Sequence, residues 1–207
     1  QRRELKHFHY YLCRQLKGGG MEIYMGKKIV ILNGSPRKNG NTTALTAEFT
    51  RGAEKAGNTV TEFFLNGMDI HGCKGCFGGH SSRECPCVQK DDMDKIYPAV
   101  READVVVLAS PLYYWTMSGQ IRTAFDRLFA LEEGDGNLLR GNNRASALLM
   151  AAEGNGFEDA LLYYDHLMEH LRWRNLGHVL AGRNGHVGDI EGKPELQEAY
   201  ELGKSIE

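Results

Sequence analysis

Hydroxyl and amide side chains and a guanidinium group gather in residues 34–43, directly after the short apolar run at 29–32. The stretch contains Ser35, Arg37, Asn41 and Thr42, and a helical pattern of apolar residues follows it. A strand that leads into a helix through such a loop presents backbone N–H groups, hydroxyls and a positive charge at one point, which suits a phosphate monoester. The loop has neither the Lys-Ser/Thr pair of a nucleoside triphosphate loop nor the spacing of a dinucleotide site. Its Ser-Pro and Asn-Gly pairs are also ordinary turn formers, so a plain turn is the alternative.

A second loop is rich in aromatic residues. It follows the continuously apolar run at 105–109 and contains Pro111, Leu112, Tyr113, Tyr114 and Trp115. Apolar rings at the end of a buried strand form an exposed patch unless a planar ligand or another subunit covers them. A third loop, with Glu153 and Gly154, is expected to close the far side of the same pocket.

Four of the five cysteines lie in one short segment, as Cys73, Cys76, Cys85 and Cys87. In a chain without a secretion signal, such crowding indicates metal or redox chemistry before structural disulfides. The residues themselves leave an iron–sulfur cluster, zinc, a disulfide and no metal open, so we assign no metal ligand. Asp91 and Asp92, which follow this segment, are interpreted as a helix cap rather than as catalytic carboxylates.

From residue 27 the pattern alternates between strands and helices. It predicts strands at 28–33, 59–65, 105–109, 145–152 and near 178–181, and helices at 41–57, 91–103, from 118, at 157–173 and from 194. This alternation predicts an α/β three-layer sandwich with a five-stranded parallel sheet in the flavodoxin-like order 2-1-3-4-5. Ligands of such sheets bind where the strand order reverses, and here the first two loops meet at that point.

Composition narrows the class of protein. The 207 residues suit one domain, at 27–207, with residues 1–26 as an N-terminal extension. The extension carries Leu5, Phe8, Leu12 and Leu16 at helical spacing. It fits either a leader or upstream translated segment before a start at Met21 or Met25, or an amphipathic arm that packs on a partner subunit. A net charge of −2 argues against a nucleic-acid partner, and the apolar runs are too short for a membrane span. We expect a cytoplasmic protein.

Several motifs, kept in order, resemble the NAD(P)H-dependent FMN reductase family of flavodoxin-like proteins. They are the segments at 34–37, 40–42, 91–93, 110–113, 119–127, 187–190 and 194–203. The resemblance implies that FMN is the cofactor and that Ser35, Arg37, Asn41 and Thr42 hold its phosphate. It also implies that Pro111, Leu112, Tyr113 and Tyr114 line the isoalloxazine. The predicted cofactor-binding set is completed by Asn39, Trp115, Glu153 and Gly154.

The same resemblance implies hydride transfer from NADH or NADPH to FMN and then to a small acceptor such as a quinone or free flavin. Because the flavin carries this chemistry, no catalytic acid–base set is assigned. Family members are commonly homodimers or homotetramers. The alternative is a flavodoxin-like or iron–sulfur electron carrier that serves a protein partner. The sequence does not identify the acceptor or the preferred nicotinamide cofactor.

A partial similarity to iron–sulfur flavoproteins concerns the cysteines. Those proteins carry a compact four-cysteine motif in the same loop. Cys73 and Cys76, with Cys85 or Cys87, resemble three of its four members. Gly79 stands where that motif has its third cysteine.

Overall fold

The computed structural model describes residues 26–80, 82–133 and 136–207. The predicted extension therefore lies outside the described residues, apart from Gly26. The strands are β1 (Lys28–Asn33), β2 (Thr59–Phe64), β3 (Val105–Tyr113), β4 (Thr116–Met117), β5 (Ala145–Ala151) and β6 (Arg174–Ala181). The helices are α1 (Asn41–Lys55), α2 (Met93–Glu102), α3 (Gly119–Glu132), α4 (Glu158–Leu171) and α5 (Pro194–Lys204), and a 3-10 turn spans Leu65–Gly67.

The main strands form a parallel sheet in the order β2-β1-β3-β5-β6. Counted over these five strands, the order is 2-1-3-4-5, so the flavodoxin-like prediction is confirmed. The direction of winding reverses between β1 and β3, at their carboxyl ends. The short β4, which pairs antiparallel with β3, escaped prediction because two residues carry no periodic signal.

Two apolar cores lie on opposite faces of this sheet. Val106, Leu108 and Leu148 join the core that α2, α3 and α4 cover, whereas Val107 and Leu149 join the core under α1 and α5. Side chains alternate between the faces of a strand, so a central strand buried on both sides must be apolar throughout. This requirement explains the continuous apolar runs that made β3 and β5 recognisable.

Two strand boundaries differ from their predictions by four residues. β3 continues to Tyr113 instead of ending at Ala109, so residues that were assigned to a loop complete a strand. Pairing with β1 ends at Ala109, and at Pro111 β3 is paired only with β5, which makes a proline acceptable there. β6 begins at Arg174 rather than near His178, because its first residues are exposed on the edge of the sheet and give no apolar pattern. No helix in the described ranges has the length and apolar character needed to cross a bilayer.

Candidate functional site

The N-terminus of α1 lies at the reversal of strand order and has no side-chain cap. Gly40 is the N-cap residue, and the first turn contains no acidic residue. Ser35 and Thr42 are each only 3% exposed beside it, while Arg37 and Asn39 are exposed. The first N–H groups of a helix have no internal partner and carry the positive end of its dipole. This arrangement favours a bound anion.

The loop before α1 is held in a compact turn by its own hydrogen bonds. Ser35 Oγ donates to the carbonyl of Arg37 at 2.9 Å, and the N–H of Gly40 donates to the same carbonyl at 3.1 Å. Below the turn, Asn33 Oδ1 accepts the N–H of Ser35 at 2.9 Å, and Asn33 Nδ2 donates to Glu62 at 2.8 Å. Sequence reasoning missed Asn33 and Glu62 because their contact joins two strands that are distant in the chain.

Asn41 uses its side chain to hold another loop. Its Nδ2 donates to the carbonyl of His186 at 2.7 Å, and its Oδ1 accepts the N–H of Gly188 at 3.1 Å. The amide therefore fastens the segment after β6 to the start of α1. The backbone N–H of Asn41 remains at the helix N-terminus, so the residue positions this loop with its side chain and presents its amide to the site.

The aromatic residues form the tip of a tight hairpin between β3 and β4. Tyr114 and Trp115 are its two central residues, with φ angles of 47° and 60°. This left-handed geometry is that of a type I′ turn, which normally takes Asn-Gly, and a bulky residue in it costs about 1–2 kcal/mol. The side chains are 92% and 61% exposed, and their ring centroids lie 6.4 Å apart. Strain of this kind concentrates at functional sites, which makes the turn a candidate for one.

Two serines join this hairpin to the phosphate-type loop. The buried Ser118 donates from Oγ to the carbonyl of Gly34 at 2.8 Å, and its N–H donates to Ser110 Oγ at 2.8 Å. Ser118 Oγ also accepts the N–H of Ile121, which caps α3. A Cβ on Gly34 would lie 2.5 Å from Ser118 Oγ, so only glycine permits this approach. The position of Ser118 before a helical pattern signals its cap, but not its contact with Gly34.

The loops after β5 and β6 complete the arrangement. Gly156 lies against the indole of Trp115, since a Cβ there would be 3.7 Å from Nε1. Glu153 and Gly154 are exposed in the same loop, and the carbonyl of Gly154 accepts the N–H of Arg183 at 3.3 Å. Together with the Asn41 contacts, these links join loops 34–40, 110–118, 153–157 and 182–189, which we call the rim. The rim brings the predicted site residues to one edge of the sheet.

A buried ion pair closes the base of the cysteine loop, residues 71–91. Arg127 Nη1 lies 2.6 Å from Asp91 Oδ2 and donates to the carbonyl of His71 at 2.8 Å. Both side chains of the pair are at most 1% exposed. Burial opposes the charge of Asp91, but hydrogen bonds from Arg127 and from the N–H groups of His71 and Met93 outweigh it and lower its pKa from 3.8 to about 2. Asp91 thus caps α2 as interpreted, whereas the side chain of Asp92 does not. The pairing of Asp91 with Arg127 had no signal in the sequence.

The four cysteines of this loop occupy two environments. Cys73 and Cys76 are exposed, whereas Cys87 is buried and hydrogen-bonded to the hydroxyl of Tyr97. Cys85 is partly buried beside Asp94, and burial together with that carboxylate raises the pKa of its thiol. Cys73, Cys76, Cys87 and Arg127 line a cavity of about 40 Å³. Within the described ranges, no three His, Cys, Asp or Glu side chains come together in a way that suits a metal ion.

Known proteins resemble this chain along most of its length. The family model for NADPH-dependent FMN reductase matches residues 27–186. An iron–sulfur flavoprotein of Archaeoglobus fulgidus is 32% identical over 179 residues, which are 86% of this chain and 78% of that protein. An iron–sulfur flavoprotein of Methanosarcina thermophila is 29% identical over 81% of this chain and 83% of that protein. The structure of an NAD(P)H:quinone oxidoreductase from Methanothermobacter marburgensis superposes with a TM-score of 0.65 at 16% identity, covering 86% of this chain and 96% of that one, and shows the shared fold.

The site fits the cofactor that this family uses. An uncapped helix N-terminus beside two buried hydroxyls can hold a terminal phosphate, and the aromatic hairpin offers flat surfaces to a ring. The chain belongs to the NADPH-dependent FMN reductase family, and it is an oxidoreductase with FMN as its cofactor.

Proposed function

We propose that the protein transfers a hydride from NADH or NADPH to bound FMN and then to a small planar acceptor such as a quinone or free flavin. The observation that carries this proposal is the rim, which joins an anion-binding helix N-terminus to an exposed aromatic hairpin through Ser118 and Gly34. FMN, when bound, supplies the hydride-accepting and hydride-donating chemistry. The protein then has to bind, orient and shield it.

The phosphate end of the site consists of the α1 N-terminus and the loop before it. Thr42 would donate a hydroxyl hydrogen bond to the phosphate, whereas Ser35, whose hydroxyl donates to the Arg37 carbonyl, would line the phosphate pocket and hold its turn. Arg37 and Asn39, at the exposed side, would contact the phosphate from solvent. The turn bonds of Ser35 and Asn33 fix this loop before any ligand arrives. Pre-organisation of this kind lowers the entropy lost on binding.

The ring end of the site consists of the β3–β4 hairpin and the loop after β5. Pro111 and Leu112 are partly buried and would form an apolar wall. Tyr113, Tyr114 and Trp115 are exposed enough to cover a planar ligand or acceptor. Glu153 and Gly154 would border the far side, where backbone N–H groups can contact polar ring atoms.

Exposed aromatic residues also support an assembly of several copies. Tyr114 and Trp115 project from the tip of the hairpin, where a second copy of the chain would bury them. We therefore propose a homodimer or homotetramer, with the acceptor bound near the interface between subunits. The proposed location is the cytoplasm, whose reducing conditions keep the exposed thiols of Cys73 and Cys76 reduced.

Comparison of FMN with riboflavin tests the phosphate end. If the α1 N-terminus binds the phosphate, FMN binds more tightly than riboflavin by at least about 100-fold, since charge-assisted hydrogen bonds contribute about 1.5–3 kcal/mol each. Arg37→Gln narrows this ratio, whereas Arg174→Gln, a change of an exposed cation at the start of β6, leaves it unchanged. Equal affinities for FMN and riboflavin would contradict the assignment.

Steady-state turnover tests the reaction. The FMN-loaded protein is expected to oxidise NADH or NADPH when benzoquinone or free flavin is present. One competing function is electron transfer to a protein partner, with the protein acting as a flavodoxin-like or iron–sulfur carrier. A low net charge of −2 speaks against a strongly acidic docking surface. That competing function is supported instead if small acceptors give no turnover while the chemically reduced protein reduces cytochrome c.

A further inference from the structure

The cysteine loop departs from a four-cysteine cluster site at its third position. In the iron–sulfur motif a cysteine stands where this chain has Gly79. Gly79 is buried, and a Cβ added to it would lie 2.8 Å from the Cα of Ala130 on α3. Backbone cannot yield as the end of a side chain can, so a cysteine side chain has no room here.

The four thiols that remain differ in exposure and in their neighbours, although Cys87 lines the same small cavity as Cys73 and Cys76. Cys85 and Cys87 lie against α2, where they contact Asp94 and Tyr97. Cys73 and Cys76 lie on the exposed turn that precedes Gly79. An iron–sulfur cluster needs four thiolates that converge on one centre. The described residues do not provide that arrangement.

The cavity between the loop and α3 is also small. Its volume of about 40 Å³ compares with about 150 Å³ for a protein cavity that takes up benzene. It has room to enclose water but not to enclose an eight-atom cluster. The residues present therefore do not fit the group that the relatives' name indicates.

We propose that Cys73 and Cys76 form a solvent-facing dithiol that undergoes thiol–disulfide exchange with small disulfides, in place of a cluster. Two residues separate the thiols, and Gly75 between them has a φ of 60°, which bends the chain into a tight turn. The N–H of Gly75 donates to Cys73 Sγ at 3.4 Å. This contact orients the Cys73 sulfur, so we assign Cys73 as the nucleophile and Cys76 as the resolving thiol.

The exchange proceeds in two displacements. Cys73 Sγ, as the thiolate, attacks one sulfur of the small disulfide, and the other sulfur leaves as a thiolate that takes up the proton lost from Cys73. Cys76 Sγ then attacks the mixed disulfide, forms the Cys73–Cys76 bond and releases the second small thiol. The dithiol loses two electrons and two protons, and the small disulfide gains them.

Oxidised glutathione is the probe for this site, used on the full chain with FMN bound. Anaerobic incubation, alkylation and peptide mass spectrometry should show a Cys73–Cys76 disulfide and the release of two small thiols per chain. Cys76→Ser is expected to accumulate a mixed disulfide at Cys73, and Cys73→Ser to slow exchange by at least about tenfold. Cys85→Ser is the matched control and keeps the wild-type rate. Exchange that is unchanged in both Cys73→Ser and Cys76→Ser overturns the proposal.

Iron analysis provides an independent test. Protein purified anaerobically, then treated with ferrous iron and sulfide, is expected to hold no stoichiometric iron. Gly79→Cys restores the four-cysteine spacing, yet it should also fail to bind iron and should lose stability to the same extent as Gly79→Ser. Four irons per chain, in either the wild type or Gly79→Cys, would show that the packing against Ala130 gives way and would overturn the inference.

Discussion

The rim and the cysteine loop leave the same sheet edge but are fixed to it differently. Hydrogen bonds from buried polar side chains to backbone groups connect the loops of the rim along their length, as at Ser118, Asn33 and Asn41. The cysteine loop is fastened at its base, where Arg127 holds His71 and Asp91, and again at Arg83, whose carbonyl accepts a hydrogen bond from Arg101. Bonds between several loops pre-organise a ligand site, whereas a loop that is held at separate points opens locally between them. The two regions should therefore respond separately to mutation.

Removal of the clamp should have the largest effect. Arg127→Met leaves Asp91 buried without its cation, which costs about 3–5 kcal/mol of unfolding free energy. Urea denaturation measures this loss, and hydrogen exchange should rise in residues 71–91. FMN affinity should change far less, because the ion pair is not part of the rim. Arg174→Met, a change of an exposed arginine at the start of β6, is the control. A parallel collapse of FMN binding would break the separation of the two regions.

The same ion pair should make stability depend on pH. Asp91 has a folded pKa of about 2 against an ordinary value of 3.8, so its charge stabilises the fold above pH 4. This contribution, about 2 kcal/mol, is lost as the pH falls through 4 towards 2. Denaturation curves of the wild type and Asp91→Asn should converge over that interval. Curves that stay parallel would show that Asp91 does not carry the dependence.

Gly34→Ala tests the tightest contact of the rim. The new methyl group would press on Ser118 and Ile121, and overpacking of this kind costs about 1–3 kcal/mol. Because the added methyl group pushes the phosphate-type loop away from α3, FMN affinity should fall together with the free energy of unfolding. Gly67→Ala is the control, since its nearest neighbour would be at 3.7 Å. Fluorescence titration with FMN gives the affinity, and an unchanged value in Gly34→Ala would show that the contact does not shape the site.

The hairpin should show the smallest change, and in the opposite direction. Tyr114→Asn with Trp115→Gly supplies the residues that a type I′ turn prefers, so unfolding free energy should rise by about 1 kcal/mol. Turnover with benzoquinone should fall because the aromatic cover is gone. The matched control is Asn142→Gly, which changes another left-handed position that is distant in the chain. Unchanged turnover would assign the strain to folding rather than to function.

Local patterns predicted most of the fold because they record burial. The apolar runs of β3 and β5 report strands covered on both faces, and the alternation with helices predicts the strand order. The predicted strand boundaries were less accurate where strands are exposed or very short. The exposed start of β6 and the two-residue β4 have no apolar pattern to detect.

The candidate site divides in the same way. A phosphate end and a planar ligand were predicted from residue types, namely those of Ser35, Arg37, Thr42 and Tyr114. Each of these residues acts through its own chemistry and its neighbours in the chain. The contacts of Asn41 with Gly188 and of Arg127 with Asp91 could not be predicted. They join residues whose proximity depends on how the sheet is wound.

The sequence by itself determined the layered α/β fold, the two loops that meet at the strand reversal and the crowding of the cysteines. Only the tertiary structure decided how those cysteines are divided between α2 and an exposed turn, and why Gly79 cannot be replaced. It also revealed that Ser118 joins two loops of the rim through its hydrogen bond to the carbonyl of Gly34. Residue types and the spacing of apolar residues can be read directly from the sequence. A contact between distant segments exists only after packing has brought those segments together.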